Sequence, residues 1–92
     1  MYRIVRSNQY KRDYRLAIRQ GKDIQHLEDV IDLLAEGKTL PPEYNDHPLK
    51  GTYKGYRECH IAPDWLLVYR IEKGVLVLLL SRTGTHSELF NE

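Results

Sequence analysis

The chain has 92 residues, with Lys+Arg 14 against Asp+Glu 13 for a formal net charge of +1, and 41% apolar and 29% charged side chains. A chain of this length buries only about 60–65% of its unfolded surface, which suffices for one core and a shallow site and excludes a cofactor domain plus a substrate domain. The near-zero total argues against a polyanionic partner, which calls for excess Lys and Arg, yet it conceals a polarity along the chain. Residues 1–22 carry seven basic side chains and one acid, Asp13, whereas residues 23–49 carry seven acids and one base, Lys38. That distribution fits either two solvated faces that attract each other or a basic surface that steers a polyanion.

In chain order, residues 2–6 (Tyr-Arg-Ile-Val-Arg) form a short β-prone run that ends at Ser7-Asn8, an edge strand leading into a helix cap. Tyr10, Tyr14, Ala17 and Ile18 then recur at helical spacing among basic residues until Gly21, predicting a basic amphipathic helix that exposes Lys11, Arg12, Arg15 and Arg19. Asp23 caps a second helix, whose stripe Ile24, Leu27, Val30, Ile31 and Leu34 stops at Gly37; His26 on this helix reads as a solvated surface residue. Residues 38–55 hold three prolines and two glycines without a sustained period, a long loop of the kind that often carries function.

Three strand-like runs follow, Tyr56 to Ile61, Trp65 to Ile71 and Val75 to Arg82, joined by the short turns Ala62-Pro63-Asp64 and Glu72-Lys73-Gly74. They predict an antiparallel meander. Thr85 and Glu88 have capping-box spacing before Leu89 and Phe90, which predicts a short terminal helical turn. The order strand, helix, helix, three strands gives a two-layer α+β fold over residues 1–92, one domain with the helical hairpin on one face of a mainly antiparallel sheet. The single cysteine, Cys59, forms no internal disulfide and reads as a small buried residue of a cytoplasmic protein. Arg3 and Arg6 interrupt what would have to be a signal peptide's apolar stretch, and the longest apolar run is the six residues Val75 to Leu80, so neither a secretory signal nor a membrane span is expected.

The meander has a chemical consequence. In antiparallel neighbours the end of one strand lies beside the start of the next, so His60 faces Asp64 and Trp65, and the third strand returns Arg82 and His86 to the same edge. About nine residues separate His47 from Tyr56, a span of up to roughly 30 Å, so the loop can bring His47 there as well. Alternation turns His60 away from the face that buries Cys59 and Ile61. Histidines can serve as proton acceptor and donor near neutral pH, arginine's planar fork suits phosphate oxygens, and Trp65 offers a ring on which a base could stack. These groups make the minimal kit for metal-free RNA cleavage through the ribose 2′-hydroxyl. Three His and one Asp also match zinc chemistry, but the turn at Pro63 breaks helical ligand spacing, and no Cys pair or HExxH occurs.

At these residues the sequence resembles the YafQ type of bacterial toxin, within the RelE/ParE superfamily. The blocks that carry the likeness are Leu40-Pro41-Pro42 with Tyr44 and Asp46-His47-Pro48-Leu49; Lys54-Gly55-Tyr56-Arg57; His60 with Pro63-Asp64-Trp65; and Arg82-Thr83-Gly84-Thr85-His86 with Leu89-Phe90. The resemblance implies a toxin of a type II toxin–antitoxin system, a ribosome-dependent endoribonuclease that cuts mRNA in the decoding site. Its partner would be a cognate antitoxin with a ribbon-helix-helix domain, through which alone it reaches operator DNA; the free toxin would be a monomer. Carried over by motif, His47, His60, Asp64 and His86 are the catalytic set, with Trp65, Arg82 and Phe90 in support and no cofactor. The expected roles are His86 as general acid, either His60 or Asp64 as general base, with His60 oriented by Asp64 preferred because a carboxylate is a weak base at neutral pH, and His47 and Arg82 on the phosphate. The basic helix with Lys11, Arg12, Arg15 and Arg19 is expected to face ribosomal RNA. A non-catalytic superfamily toxin, gyrase-targeting or RNA-binding, and a small zinc-binding protein are the alternatives.

Overall fold

The computed structural model describes residues 1–90. Strand β1 (Arg3–Arg6) leads into helices α1 (Asn8–Arg19) and α2 (Ile24–Ala35); β2 (His47–Pro48), β3 (Arg57–Ala62), β4 (Trp65–Glu72) and β5 (Val77–Gly84) follow, and α3 (His86–Phe90) closes the described chain. The helices start where their caps stand. Ser7 Oγ accepts the Tyr10 amide at 2.9 Å and Asp23 Oδ1 accepts the His26 amide at 3.2 Å. Beyond each helix a glycine, Gly21 or Gly37, takes the left-handed conformation that ends the turn.

The sheet order is β1-β5-β4-β3-β2. β3, β4 and β5 form the expected antiparallel meander, and β1 joins its edge parallel to β5, Arg3 to Arg6 opposite Val77 to Leu80. Two departures from the sequence reading matter. Within the stretch read as loop, His47 and Pro48 pair antiparallel with Glu58 and Arg57, a two-residue strand too short to show a period. The last strand begins at Val77 rather than Val75, because Lys73 to Val75 make a tight 3₁₀ turn closed by Leu76 at φ +54°. Val75 and Leu76 are left exposed at its tip.

The helical hairpin covers one face of the sheet. Tyr10, Ala17, Leu27, Val30, Ile31 and Leu34 pack on Cys59, Ile61, Trp65, Leu67, Tyr69, Leu78 and Leu80, all buried. Burial pushes the Cys59 thiol well above its ordinary range, which makes it an inert packing group. The opposite face is covered less completely, by Leu89 with Leu49, Tyr53, Tyr56 and Phe90 over Leu66 and Val68. Among the described residues no helix is long and apolar enough to cross a membrane.

Candidate active site

Strand registry places the site on this second face. His47 pairs with Glu58, His60 with Leu66, and Leu66 with Gly84, so His47, Glu58 and His60 share the face of Leu66 and Val68. α3 then turns back over the end of β5. Its capping box is formed in both directions, Glu88 Oε1 accepting the Thr85 amide at 2.8 Å and Thr85 Oγ1 accepting the Glu88 amide at 3.1 Å. Gly84 permits that close turn, since a Cβ there would lie 2.9 Å from Glu88 Oε1 and 3.1 Å from Leu89 Cδ2.

The result is a row of three imidazoles. The His47 and His60 ring centroids are 6.3 Å apart, and those of His60 and His86 are 5.6 Å apart. Each outer ring has a carboxylate partner. Asp64 Oδ1 lies 2.7 Å from His86 Nδ1 and also accepts the His86 amide at 3.0 Å. The amide first, then the ring, hold the Asp64 carboxyl below the usual carboxylate range, so it is a stable counter-charge for a protonated His86. Glu58 Oε2 lies 2.8 Å from His47 Nε2, while His47 Nδ1 lies 2.6 Å from the Asn45 carbonyl. A carbonyl only accepts, so Nδ1 carries a proton, and both nitrogens of the His47 ring are committed to neighbours. His60 stands between the two, half-buried, and makes no hydrogen bond among the described residues. Its ring nitrogens are therefore not committed to a neighbouring carboxylate or carbonyl.

Beside His86 a cleft of about 600 Å³ is lined by Lys50, Tyr53, Glu58, Leu89 and Phe90. Phe90 is half-buried and packs edge-to-face on Tyr53, their centroids 5.5 Å apart, so an aromatic surface borders the histidine row.

Three of the expected assignments change. Trp65 is buried at 4% exposure, with Nε1 donating to Thr83 Oγ1 at 2.9 Å, so it is a core residue rather than an open stacking surface. Arg82 reaches the neighbourhood, but its Nε and Nη2 donate to Asp13 at 2.8 and 3.1 Å, which occupies the fork that would have clamped a phosphate. Asp64 orients His86, not His60. His26, read as a solvated residue, is half-buried with Nε2 2.8 Å from Tyr44 Oη. Glu58 and Lys50 belong to the site without standing out in the sequence. Alternation from His60 would have found Glu58, two positions earlier on the same face, whereas nothing in the loop's composition points to Lys50. The basic residues of α1, Lys11, Arg12, Arg15 and Arg19, are all exposed. The end of that helix abuts α3, where Gln20 Nε2 donates to Glu88 Oε2 at 3.0 Å.

Fold and site together define a two-layer α+β protein whose open sheet face carries acid–base side chains beside a basic helix. Residues 2–91 match the family described as "Bacterial toxin of type II toxin-antitoxin system, YafQ". The mRNA interferase toxin YafQ of Escherichia coli strain K12 is 44% identical over 85 residues, covering 91% of this chain and 90% of that protein. Two solved structures share the fold along nearly the whole chain. A metal-bound toxin from Helicobacter pylori is 46% identical with a TM-score of 0.92, over 98% of this chain and 100% of that one. The toxin in the E. coli DinJ–YafQ complex is 40% identical with a TM-score of 0.89, over 98% and 99%. The chain belongs to the YafQ family of type II toxin–antitoxin toxins.

Proposed function

We propose that the chain is a toxin that cleaves mRNA as an endoribonuclease on the ribosome, using side-chain acid–base chemistry, and thereby stops translation. The observation that carries this reading is the row His47, His60, His86, in which the outer rings are committed to carboxylates and the nitrogens of the middle ring are not. His60 takes the proton of the ribose 2′-hydroxyl, and the oxygen attacks the adjacent phosphorus. The bond to the 5′-oxygen breaks, and His86, protonated against Asp64, gives that oxygen its proton. The products are a 2′,3′-cyclic phosphate and a 5′-hydroxyl. His47, through its ring N–H, and Lys50 stabilise the charge that develops on the phosphoryl oxygens, and Phe90 supports a neighbouring base.

The exposed cations of α1 face ribosomal RNA in this reading, and the ribosome aligns the message over a site too open to do so alone. An antitoxin partner is supported by the DinJ complex of the E. coli relative; a ribbon-helix-helix domain on that partner, contact with operator DNA only through it, a monomeric free toxin and a cytoplasmic location complete the proposal. A second reading, metal binding, rests on the metal-bound Helicobacter relative, although among the described residues no group of three or more His, Cys, Asp or Glu side chains is placed to hold an ion.

Mapping mRNA 5′ ends in a translation extract tests the first reading. Substitution of His86 by Ala lowers cleavage by about 10²–10⁴-fold, the range expected for a general acid, while the variant stays folded; parental cleavage by a folded variant overturns the assignment. Titration with copper or zinc tests the second, and stoichiometric binding with cleavage lost on chelation would replace the acid–base roles of the three histidines.

A further inference from the structure

Strand β2 pairs with β3 through His47 and Pro48 alone, a ladder too short to hold a loop segment in register by itself. A stronger hold stands one position earlier. Asp46 Oδ1 accepts the Tyr69 hydroxyl at 2.7 Å and Arg57 Nε at 3.2 Å. Arg57 and Tyr69 lie opposite each other on β3 and β4, so both side chains stand on the face that the helical hairpin covers, away from the histidine row. Successive residues of an extended segment point to opposite sides. With Asp46 held on the hairpin side, His47 emerges on the other side, its ring centroid 6.3 Å from that of His60.

The residue before Asp46 is fixed as well. Asn45 closes the 3₁₀ turn Pro42–Tyr44 at φ +46°, its amide donating to the Pro42 carbonyl at 3.0 Å. Left-handed backbone costs a non-glycine residue free energy and persists where its neighbours hold it. In this conformation the Asn45 carbonyl meets His47 Nδ1 at 2.6 Å. The Tyr69 hydroxyl is the deepest member of the chain of contacts. Tyr69 is 1% exposed, and burial first, then the Asp46 carboxylate, push its ionisation far above the usual tyrosine range, so it stays a donor. A buried hydroxyl that loses its acceptor is costly, which draws Asp46 inward. Arg57 holds the same oxygen from the more open side.

We propose that Asp46, anchored by Tyr69 with support from Arg57, is the positioning residue for His47. It sets the register of β2, the face on which the imidazole emerges and the nitrogen that carries the proton. The use made of His47 rests on the endoribonuclease reading, whereas its orientation rests on the geometry alone. Asp46, Arg57 and Tyr69 lie across the sheet from the row and act on the reaction through His47.

The test follows the His47 ring by nitrogen–proton correlation spectroscopy on the full chain, with mRNA cleavage on ribosomes measured in parallel. The parent shows one His47 state with a slowly exchanging proton on Nδ1. Asp46→Ala loses that state, as does Tyr69→Phe, which keeps the ring and its packing. Asp46→Asn retains it, because an acceptor oxygen remains for the Tyr69 hydroxyl. In Asp46→Ala and Tyr69→Phe kcat falls about ten- to hundredfold with KM for the mRNA-loaded ribosome unchanged, the scale expected when a reacting group is displaced by about 1 Å. In a His47→Ala background the same two substitutions cost no further cleavage, since the residue they position is gone. Asp46 is half-buried in a loop, so Asp46→Ala reads the same contact if Tyr69→Phe fails to fold.

An unaltered Nδ1 proton signal in the folded variants overturns the proposal. Parental cleavage by variants that have lost the signal overturns it too, as does an equal loss of cleavage with and without His47, the mark of a general structural defect. A parent chain that cleaves no mRNA, with the signal lost in both variants, sinks the endoribonuclease reading and leaves Asp46 as the residue that orients His47. A cleaving parent whose His47 state survives both substitutions does the reverse.

Discussion

Substitution of Asp13 by Ala tests whether Arg82 is a structural or a phosphate-binding residue. Asp13, the only acid in the basic front of the chain, is 8% exposed and accepts four hydrogen bonds: from Arg82 Nε at 2.8 Å and Nη2 at 3.1 Å, from the Thr83 amide at 3.1 Å, and from Gln9 Nε2 at 3.0 Å. β1 pairs with residues 77–80 of β5, so beyond Leu80 no strand among the described residues lies on that β5 edge. Ser7 Oγ donates to the Ser81 carbonyl at 2.8 Å, and Asp13 then takes the Thr83 amide. Removing the carboxylate leaves that buried amide without an acceptor, which costs about 1–2 kcal/mol. It also strands the Arg82 guanidinium. A fully buried pair broken on one side costs about 3–5 kcal/mol, but the Arg82 side chain is 23% exposed and recovers some water, so about 2 kcal/mol is the appropriate share. The expected loss is therefore about 3–4 kcal/mol, or roughly 15–20 °C in Tm for a domain of this size. Asp13→Asn, which retains one acceptor oxygen, loses about half as much. Urea unfolding of Asp13→Ala, Arg82→Ala and the double variant closes a cycle with a coupling of about 2 kcal/mol. A loss within about 0.5 kcal/mol in both single variants, with mRNA cleavage abolished by Arg82→Ala, would restore Arg82 as a phosphate clamp and refute the structural assignment.

Acid lability should trace to α3. Asp64 and Glu88 are both held below the usual carboxylate range, Asp64 chiefly by the His86 amide and Glu88 chiefly by the Thr85 amide. The native state thus binds these protons more weakly than the unfolded chain, so the stabilisation is complete above about pH 5 and lost as pH falls through about 4 and below. Thermal unfolding across that window is flatter for Asp64→Asn combined with Glu88→Gln than for the parent, and an equally steep curve would disprove the link. At the β4–β5 turn, Leu76 is 57% exposed at φ +54°, where a side chain clashes with its own backbone. Leu76→Gly raises stability by about 0.5–1 kcal/mol in urea unfolding, and a decrease would show that the exposed leucine packs more than the structure indicates.

Much of the site was legible because its geometry follows from the meander. Two short turns force His60, Asp64 and His86 to one edge whatever the rest of the chain does, and the structure finds them there. The pairing of carboxylates with rings was not legible. His47 meets Glu58 only because two residues of the loop add a strand to β3, and two residues cannot show a period. Trp65 and Arg82 were misread for a related reason: both side chains have the chemistry to bind RNA, and only their partners, Thr83 and Asp13, withdraw them from it.

Local signals in the sequence by themselves determined the elements. Ser7 and Asp23 start helices, Gly21 and Gly37 stop them, and Thr85 with Glu88 opens the last turn, since caps act through hydrogen bonds spanning a few residues. Alternation and turn length likewise set the meander and its histidine edge. Tertiary structure alone decided which charged groups are free to act. Asp13 and Arg82 lie 69 positions apart, and His86 and Asp64 lie 22 apart. Whether a carboxylate becomes a structural anchor or an orienting partner depends on what the fold sets within about 3 Å of it, and no periodicity records that distance.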